Sequence, residues 1–189
     1  MVGGRLTRRT LLGMLALAAA GPAVAAENPA VDFMKLAAKD LLHANRQGTL
    51  ASFKRALQRH AAIPDIALYS LGQYKGKLPE GQRSRYYGGV VTFMARYFAD
   101  QSRDYRVAKY ELGNAFANGD EVQVSSKVFL LSGQTYTVNW QVAKREGKYK
   151  IVDVKVLGFS LVYLQRNLFT AFLAKRNGDV TQLVGALIQ

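Results

Sequence analysis

The period of the hydrophobic positions changes twice along the chain. Between residues 28 and 99, apolar residues recur every three or four positions, which is typical of helices that bury one face. Between residues 105 and 157 they alternate with polar residues, which is typical of strands in a sheet with one buried face. After Ser160 the helical period returns, so the order predicts helices, then antiparallel strands, then helices.

Four helices are predicted ahead of the strands, with bounds set by caps and breakers. They are expected at residues 28–46, 50–62, 66–71 and 82–99. Pro64 is expected to end the second helix and Asp65 to cap the third. Inside the fourth, the Gly88–Gly89 pair indicates either close approach of another part of the backbone or a local kink.

Four strands are predicted downstream, joined by short turns that contain glycine. They are expected at residues 105–112, 121–131, 134–143 and 149–157. Such short turns favour antiparallel hairpins. In the fourth strand Val152, Val154 and Val156 are expected to share the buried face. Asp153 is expected to point the other way, into solvent or a salt bridge.

The fourth strand leads directly into a helix of unusual hydrophobicity. Ser160 is in the position of an N-cap, and residues 161–172 are interrupted by only four polar side chains. This helix must bury more than a narrow stripe, so an apolar surface is expected to lie against it. A last helix is predicted after Asp179, with Val180 on its inner face.

Together these elements predict an α+β fold in which helices cover a four-stranded, curved antiparallel sheet. A curved sheet closed by helices resembles the cone of nuclear-transport-factor-like proteins, and we expect it to enclose an apolar interior. The pattern leaves open whether side chains or a ligand fill that interior.

The first 26 residues are predicted to be a signal peptide and not part of this fold. Arg5, Arg8 and Arg9 precede the apolar run Leu11–Ala20, and Ala23–Ala25 suits a cleavage site. The paired arginines favour twin-arginine export, with an ordinary secretory signal as the alternative. Residues 27–189 are then expected to form a single exported domain of ordinary size.

The chain carries a formal net charge of +13, and +10 remains without the 26-residue segment, which has three basic and no acidic residues. In an exported protein this charge favours anionic lipid head groups or acidic protein faces over nucleic acid. The chain has no cysteine, which excludes disulfides, thiol catalysis and zinc–thiolate sites.

No arrangement of residues typical of catalysis or metal binding is present in the sequence. His43 and His60 are expected on polar helix faces and lack the spacing of metal ligands. Ser160 is interpreted as a helix N-cap and not as a nucleophile. Three environments are open for the Arg166 side chain. It could pair with a residue such as Asp153, bind a lipid phosphate, or extend along the surface into solvent. We therefore predict no catalytic residue, no metal site and no cofactor.

Two blocks of sequence resemble a known family. Asp153–Val162, followed by Gln165-Arg166, Phe169 and Gly178, is similar to the carboxy-terminal signature of the MlaC-type, or toluene-tolerance, proteins of the bacterial periplasm. Ser70–Tyr74, with Pro79 and Gln82-Arg83, resembles a second signature of that family. The resemblance covers about residues 31–187.

This resemblance implies a non-enzymatic periplasmic carrier. Such a carrier would hold phospholipid acyl chains between sheet and helices and shuttle between an outer-membrane lipoprotein complex and an inner-membrane ABC transporter complex. From the inward stripes and the matching blocks, we expect a lipid-binding wall made of Tyr69, Tyr87, Phe93, Tyr97, Val124, Val128, Tyr136, Val138, Trp140, Val152, Val154, Phe159, Leu161 and Val162.

Three alternatives remain open from the sequence. An apolar wall would accept a hopanoid or another fused-ring lipid as readily as two acyl chains. Nuclear-transport-factor-like cones also house small-molecule enzymes, but those need an acid–base pair inside the cone, and none is expected on the inward stripes. An adaptor protein would have its interior filled by side chains.

Overall fold

A computed structural model describes residues 28–189 and shows helices on one side of an antiparallel sheet. The helices are α1 (Pro29–Gln47), α2 (Leu50–His60), α3 (Ile63–Ser70), α4 (Arg83–Asp104), α5 (Leu161–Ala174) and α6 (Val180–Leu187). The strands are β1 (Val107–Asn118), β2 (Glu121–Leu130), β3 (Thr135–Arg145), β4 (Lys148–Val156) and β5 (Phe159–Ser160). The predicted signal peptide lies outside the described residues.

The sheet follows the chain order, β1-β2-β3-β4-β5, with every neighbouring pair antiparallel. This confirms the predicted α+β class. The sheet has five strands where four were predicted, because Phe159 and Ser160 fold back onto the end of β4 and pair with Val156 and Lys155. β1 continues to Asn118, past the predicted end at Leu112, through a register shift between Leu112 and Ala115.

Side-chain caps begin most of the helices where the sequence places them. Thr49 accepts a hydrogen bond from the Ser52 amide, and Ser160 accepts one from the Tyr163 amide at 3.0 Å. The expected roles of Pro64 and Asp65 were wrong. Pro64 lies in the first turn of α3, where its missing N–H costs no hydrogen bond, so the helix begins at Ile63.

Buried residues form two clusters that hold the helices and the sheet together. The larger joins α2, α3, α4, α5 and α6, with Tyr86 fully buried and its hydroxyl donating to the Ala67 carbonyl at 2.8 Å. The smaller places Met34 of α1 against Val124 and Val142 of the sheet. Between these clusters the helices and the sheet enclose a space that neither fills.

The glycine pair in α4 faces two different environments. A Cβ at Gly89 would lie 2.8 Å from the Leu187 Cβ, so α6 approaches the α4 backbone closely there. A Cβ at Gly88 would meet nothing within 4 Å. Close approach therefore accounts for Gly89, and nothing in the structure explains Gly88.

This asymmetry predicts opposite effects of two alanine substitutions. Gly88→Ala should raise the free energy of unfolding by about 1 kcal/mol through helix propensity alone. Gly89→Ala should lower it by about 1–2 kcal/mol, because overpacking against Leu187 outweighs the same propensity gain. Urea unfolding of both variants measures the difference, and equal shifts of the same sign would contradict the packing described here.

Candidate functional site

A cavity of about 670 Å³ lies between the helices and the sheet. Helices α1, α2, α4 and α5 supply most of its wall, and β1 to β4 supply most of the remainder. Its volume falls within the range typical of small-molecule sites. The wall is dominated by aliphatic and aromatic side chains such as Leu41, Phe53, Phe93, Val138 and Leu168.

Most polar side chains in this wall have their hydrogen bonds inside the protein. The Trp140 indole donates to the Ser126 hydroxyl at 2.9 Å, and that hydroxyl lies 3.3 Å from the Val138 carbonyl. Asn45 accepts a hydrogen bond from the Val107 amide at the start of β1 and donates one to the carbonyl of Tyr105, two residues before the strand. Groups already paired offer little to a polar ligand, so the interior suits an apolar one.

Gln165 shows the same arrangement on α5. Its amide donates to the Ser70 hydroxyl at 2.7 Å, and the hydroxyl in turn donates to the Ile66 carbonyl at 2.7 Å. Both side chains are buried, so this chain of hydrogen bonds fixes α5 against α3. Apart from Gln165 and Asn167, the residues of α5 that line the cavity are apolar.

The sequence-based prediction for His60 was wrong. His60 is buried, lines the cavity and lies edge-on to the Phe33 ring at 5.8 Å. Its Nε2 is 2.7 Å from Asp40 Oδ2, and Arg59 donates to the same oxygen at 3.1 Å. A histidine therefore does contact the cavity, although the sequence placed it on a polar helix face. Its Nε2 is already hydrogen-bonded to Asp40 of α1. The hydrogen bond from His60 lowers the pKa of Asp40 below its ordinary value of 3.8, with Arg59 assisting.

This lowered pKa predicts a pH dependence of stability. A carboxylate whose pKa is lowered in the folded state contributes stability above pH 3.8 and loses it as the pH falls through the folded-state value. Asp40→Asn should be less stable than wild type at neutral pH and should lose less of its stability between about pH 5 and about pH 3. Chemical unfolding at a series of pH values measures the free energy of unfolding of both proteins. If the two curves of this free energy against pH are parallel, the lowered pKa of Asp40 is contradicted.

A bulge in β4 determines which of its residues face the cavity. Gln141 pairs with Asp153 but the next residue, Val142, pairs with Ile151, so Val152 has no partner. A bulge of this kind reverses the alternation. Val154 and Ile151 consequently line the cavity, and Val152, expected beside Val154, does not.

The predicted environment of Asp153 was also wrong. Its carboxylate accepts hydrogen bonds from the Val154 amide at 2.8 Å and from the Val162 amide at 3.2 Å, and it belongs to the cavity lining. Among the described residues it forms no ion pair. The bulge and the first turn of α5 are thus joined by one carboxylate. No period in the sequence signals this contact.

The cavity opens at the surface beside α5 and α4. Three lining residues are strongly exposed, namely Tyr97, Leu164 and Leu168, which retain 48%, 44% and 61% of their accessible surface. Asn167 and Ala171 are exposed on the same part of α5. We call this opening the mouth. A ligand in the cavity can therefore reach water there without any movement of the protein.

The structure brings together eight of the fourteen residues expected in the wall. Those that line the cavity are Phe93, Tyr97, Val128, Val138, Trp140, Val154, Leu161 and Val162. Lipid binding by these eight residues stays a prediction.

The other six lie elsewhere, each for a local reason. Val124 is fully buried where α1 covers the sheet, and Val152 is displaced by the bulge. Tyr87 packs beside Tyr86 in the helical cluster. The hydroxyl of Tyr136 donates to the Gln134 side chain at the sheet end. Phe159 is exposed at the tip of the β4–β5 hairpin.

Tyr69, the sixth, lies under the Arg166 guanidinium, 4.8 Å from its ring centroid. Both residues border a small separate pocket with Gly72 and Lys75. Gly72 adopts a φ of +55°, and a Cβ there would lie 2.9 Å from the Thr170 Cγ2 and 3.2 Å from the Arg166 Nε, so glycine leaves room for both side chains. Of the alternatives open for Arg166, the structure shows neither a contact with Asp153 nor a fully solvated position.

Sequence reasoning missed the contribution of α1 and α2 to the wall. Leu41 and Leu42 of α1 and Phe53 and Leu57 of α2 line the cavity. Their helical spacing marks an apolar face, which was available as a signal. The pattern cannot tell whether such a face meets other side chains or a cavity.

Within residues 28–189, no group of three or more histidine, cysteine or carboxylate side chains is placed to hold a metal ion. Over the same residues, no helix is both long and apolar enough to span a bilayer.

A solved structure shares the fold of this chain. The structure of a phospholipid-binding protein from Ralstonia solanacearum, solved in complex with a phospholipid, aligns with a TM-score of 0.69. It is 19% identical and the alignment covers 82% of this chain and 94% of that one, which shows a shared fold. A putative NTF2-like transpeptidase from Campylobacter jejuni aligns with a TM-score of 0.44 at 13% identity, over 66% of this chain and 98% of that one. Among proteins of curated function, none matches.

The family comparison covers most of the chain. A family model described as MlaC protein matches residues 31–189, which include every described helix and strand except the start of α1. This confirms the resemblance seen in the two sequence blocks, and the chain belongs to the MlaC family.

Proposed function

We propose that this protein is a carrier that holds the acyl chains of a phospholipid in its cavity and leaves the head group in water at the mouth. The observation that carries the proposal is the 670 Å³ cavity itself, whose wall is apolar and whose polar groups are largely bonded within the protein. An unfilled interior of this kind also argues against an adaptor, which would fill it with side chains.

Energetics favour a carrier for such a ligand. Two acyl chains contain roughly 30 methylenes at about 0.8 kcal/mol each, so their release into water costs on the order of 20 kcal/mol. A cavity that excludes water removes this barrier. Because the bilayer is as apolar as the cavity wall, transfer between the two can be close to balanced, which suits transport in either direction.

Membership of the MlaC family confirms that the chain is not an enzyme. The shared fold of the Ralstonia solanacearum protein, described as phospholipid-binding and solved with a phospholipid, supports phospholipid as the cargo class. The histidine in the wall fits this view, since its Nε2 is engaged by Asp40.

We also propose the compartment in which this carrier acts and the complexes with which it exchanges lipid. The signal-peptide pattern of residues 1–26 supports export to the periplasm. There the carrier would exchange lipid with an inner-membrane ABC transporter complex and an outer-membrane lipoprotein complex. A hopanoid or another apolar lipid is the alternative cargo, since the wall offers no group that selects against fused rings.

A transfer experiment tests the carrier function. Donor vesicles holding a fluorescent phospholipid are mixed with unlabelled acceptor vesicles, with and without protein purified from cells that express the full chain. The proposal predicts transfer that rises in proportion to protein concentration. A rate that stays at the protein-free value would contradict it, and selective transfer of a hopanoid would reassign the cargo.

A further inference from the structure

Exposed apolar side chains are concentrated beside the mouth. Leu157 and Phe159 at the β4–β5 hairpin retain 64% and 67% of their accessible surface, and Tyr163, Leu164 and Leu168 of α5 are exposed as well. We call these five residues the apolar tip. Large apolar groups gathered on one surface mark an interaction site more often than single exposed ones do.

The hairpin turn gives Leu157 no role in folding that would explain its hydrophobicity. Leu157 has a φ of +51°, followed by Gly158 at +85°, so the turn places two successive residues in the left-handed region. Asparagine or glycine suits such a position better than leucine does. An apolar residue that is both strained and exposed is better explained by what it contacts outside the chain.

The apolar tip is continuous with the cavity. Leu164 and Leu168 belong to both, and Leu161 lines the cavity one turn before Leu164 on the same helix face. Apolar surface therefore runs from the hairpin along α5 into the interior. An acyl chain that followed this path would meet little polar surface.

The stretch of chain that carries the apolar tip has charge of one sign. Residues 154–178 contain no acidic residue and four basic ones, Lys155, Arg166, Lys175 and Arg176. The carboxylate just before this stretch, Asp153, already accepts hydrogen bonds from two backbone amides. A surface that combines leucine and aromatic side chains with positive charge complements an anionic bilayer.

We propose that the apolar tip docks the mouth of the cavity directly on an anionic bilayer surface. This inference rests on the proposed function and adds to it a direct route between the cavity and a bilayer, beside exchange with the two membrane complexes. Leucine and phenylalanine at the hairpin enter the head-group region, and Tyr163 suits the interface because its ring is apolar and its hydroxyl polar. Docking of this kind keeps the acyl chains out of water during exchange.

Co-sedimentation with vesicles of phosphatidylglycerol and phosphatidylethanolamine tests the docking. The double variant Leu157→Asn, Phe159→Ser should bind these vesicles at least about tenfold more weakly than wild type. Asparagine tolerates the positive φ of Leu157, so the variant should remain folded. The matched control is Leu36→Ser, Phe116→Ser, which removes two apolar residues that are also more than half exposed but lie outside the apolar tip, and it should bind as wild type does.

Salt and lipid composition provide a second readout. Binding of the wild type should weaken above about 0.3 M salt and on vesicles of neutral phosphatidylcholine. Equal binding by the tip variant and the wild type, or no binding of the wild type to anionic vesicles, would overturn the docking proposal and favour a protein partner.

Lipid extracted from the same preparations separates this proposal from the proposed function. Lipid bound in the cavity should be the same in the tip variant as in wild type. If the tip variant retains its lipid and binds vesicles as well as the wild type does, the docking proposal is overturned and the carrier function stands. An empty cavity in the wild type would count against the carrier function.

Discussion

Val154→Trp should lose its bound phospholipid while the protein stays folded. Val154 lines the cavity and pairs with Trp140 across the sheet, so an indole at this position projects into the space that acyl chains would occupy. We expect the lipid recovered per protein chain to fall at least about tenfold, the equivalent of about 1.4 kcal/mol. Val138→Trp, on the neighbouring strand, should act in the same way.

Val152→Trp provides the matched control, because it introduces the same side chain two residues away in the same strand. Val152 is unpaired at the bulge and lies outside the cavity lining, so lipid recovery should stay at the wild-type level. Thermal unfolding checks that both variants fold. Equal loss of lipid in both would show that the indole acts through the fold and not through the cavity.

Leu173→Ala should cost about 2–5 kcal/mol in the free energy of unfolding, the range for a fully buried leucine. Leu173 belongs to the face of α5 that anchors the helix in the larger cluster, together with Phe169, whose ring lies 5.2 Å from that of Phe93. Loss of this anchor weakens the wall of the cavity as well as the fold.

The control for this prediction is Leu168→Ala in the same helix. Leu168 is exposed at the mouth, so its truncation should change the free energy of unfolding by no more than about 0.5 kcal/mol. Urea unfolding of the two variants compares them directly. Similar losses at both positions would contradict the division of α5 into an anchoring face and a cavity face.

The class of fold was predictable because most of its elements carry a strong local signal. Period-two alternation and glycine turns defined β2, β3 and β4 to within two residues. Ser160 and Asp179 were correctly assigned as caps, with Asp179 accepting from the Thr181 amide at 2.9 Å. Such signals depend on neighbours in sequence, so tertiary structure adds little to them.

The composition of the wall was only partly predictable, because it depends on long-range packing. The bulge at Val152 changes which face of β4 is buried, and no residue in that strand marks it. His60 was assigned to the polar face of α2, yet its partner Asp40 lies on α1, 20 residues away. Tyr69 and Tyr87 were expected in the wall from the inward stripes and the matching blocks, but each packs against a neighbour outside it.

The central claim, that the cavity holds a phospholipid, is tested most directly by native mass spectrometry of protein purified from cells that express the full chain, followed by lipid extraction. The account predicts one bound lipid per chain, identified as a phospholipid. A mass that corresponds to protein alone, and that does not change after incubation with phospholipid vesicles, would contradict it.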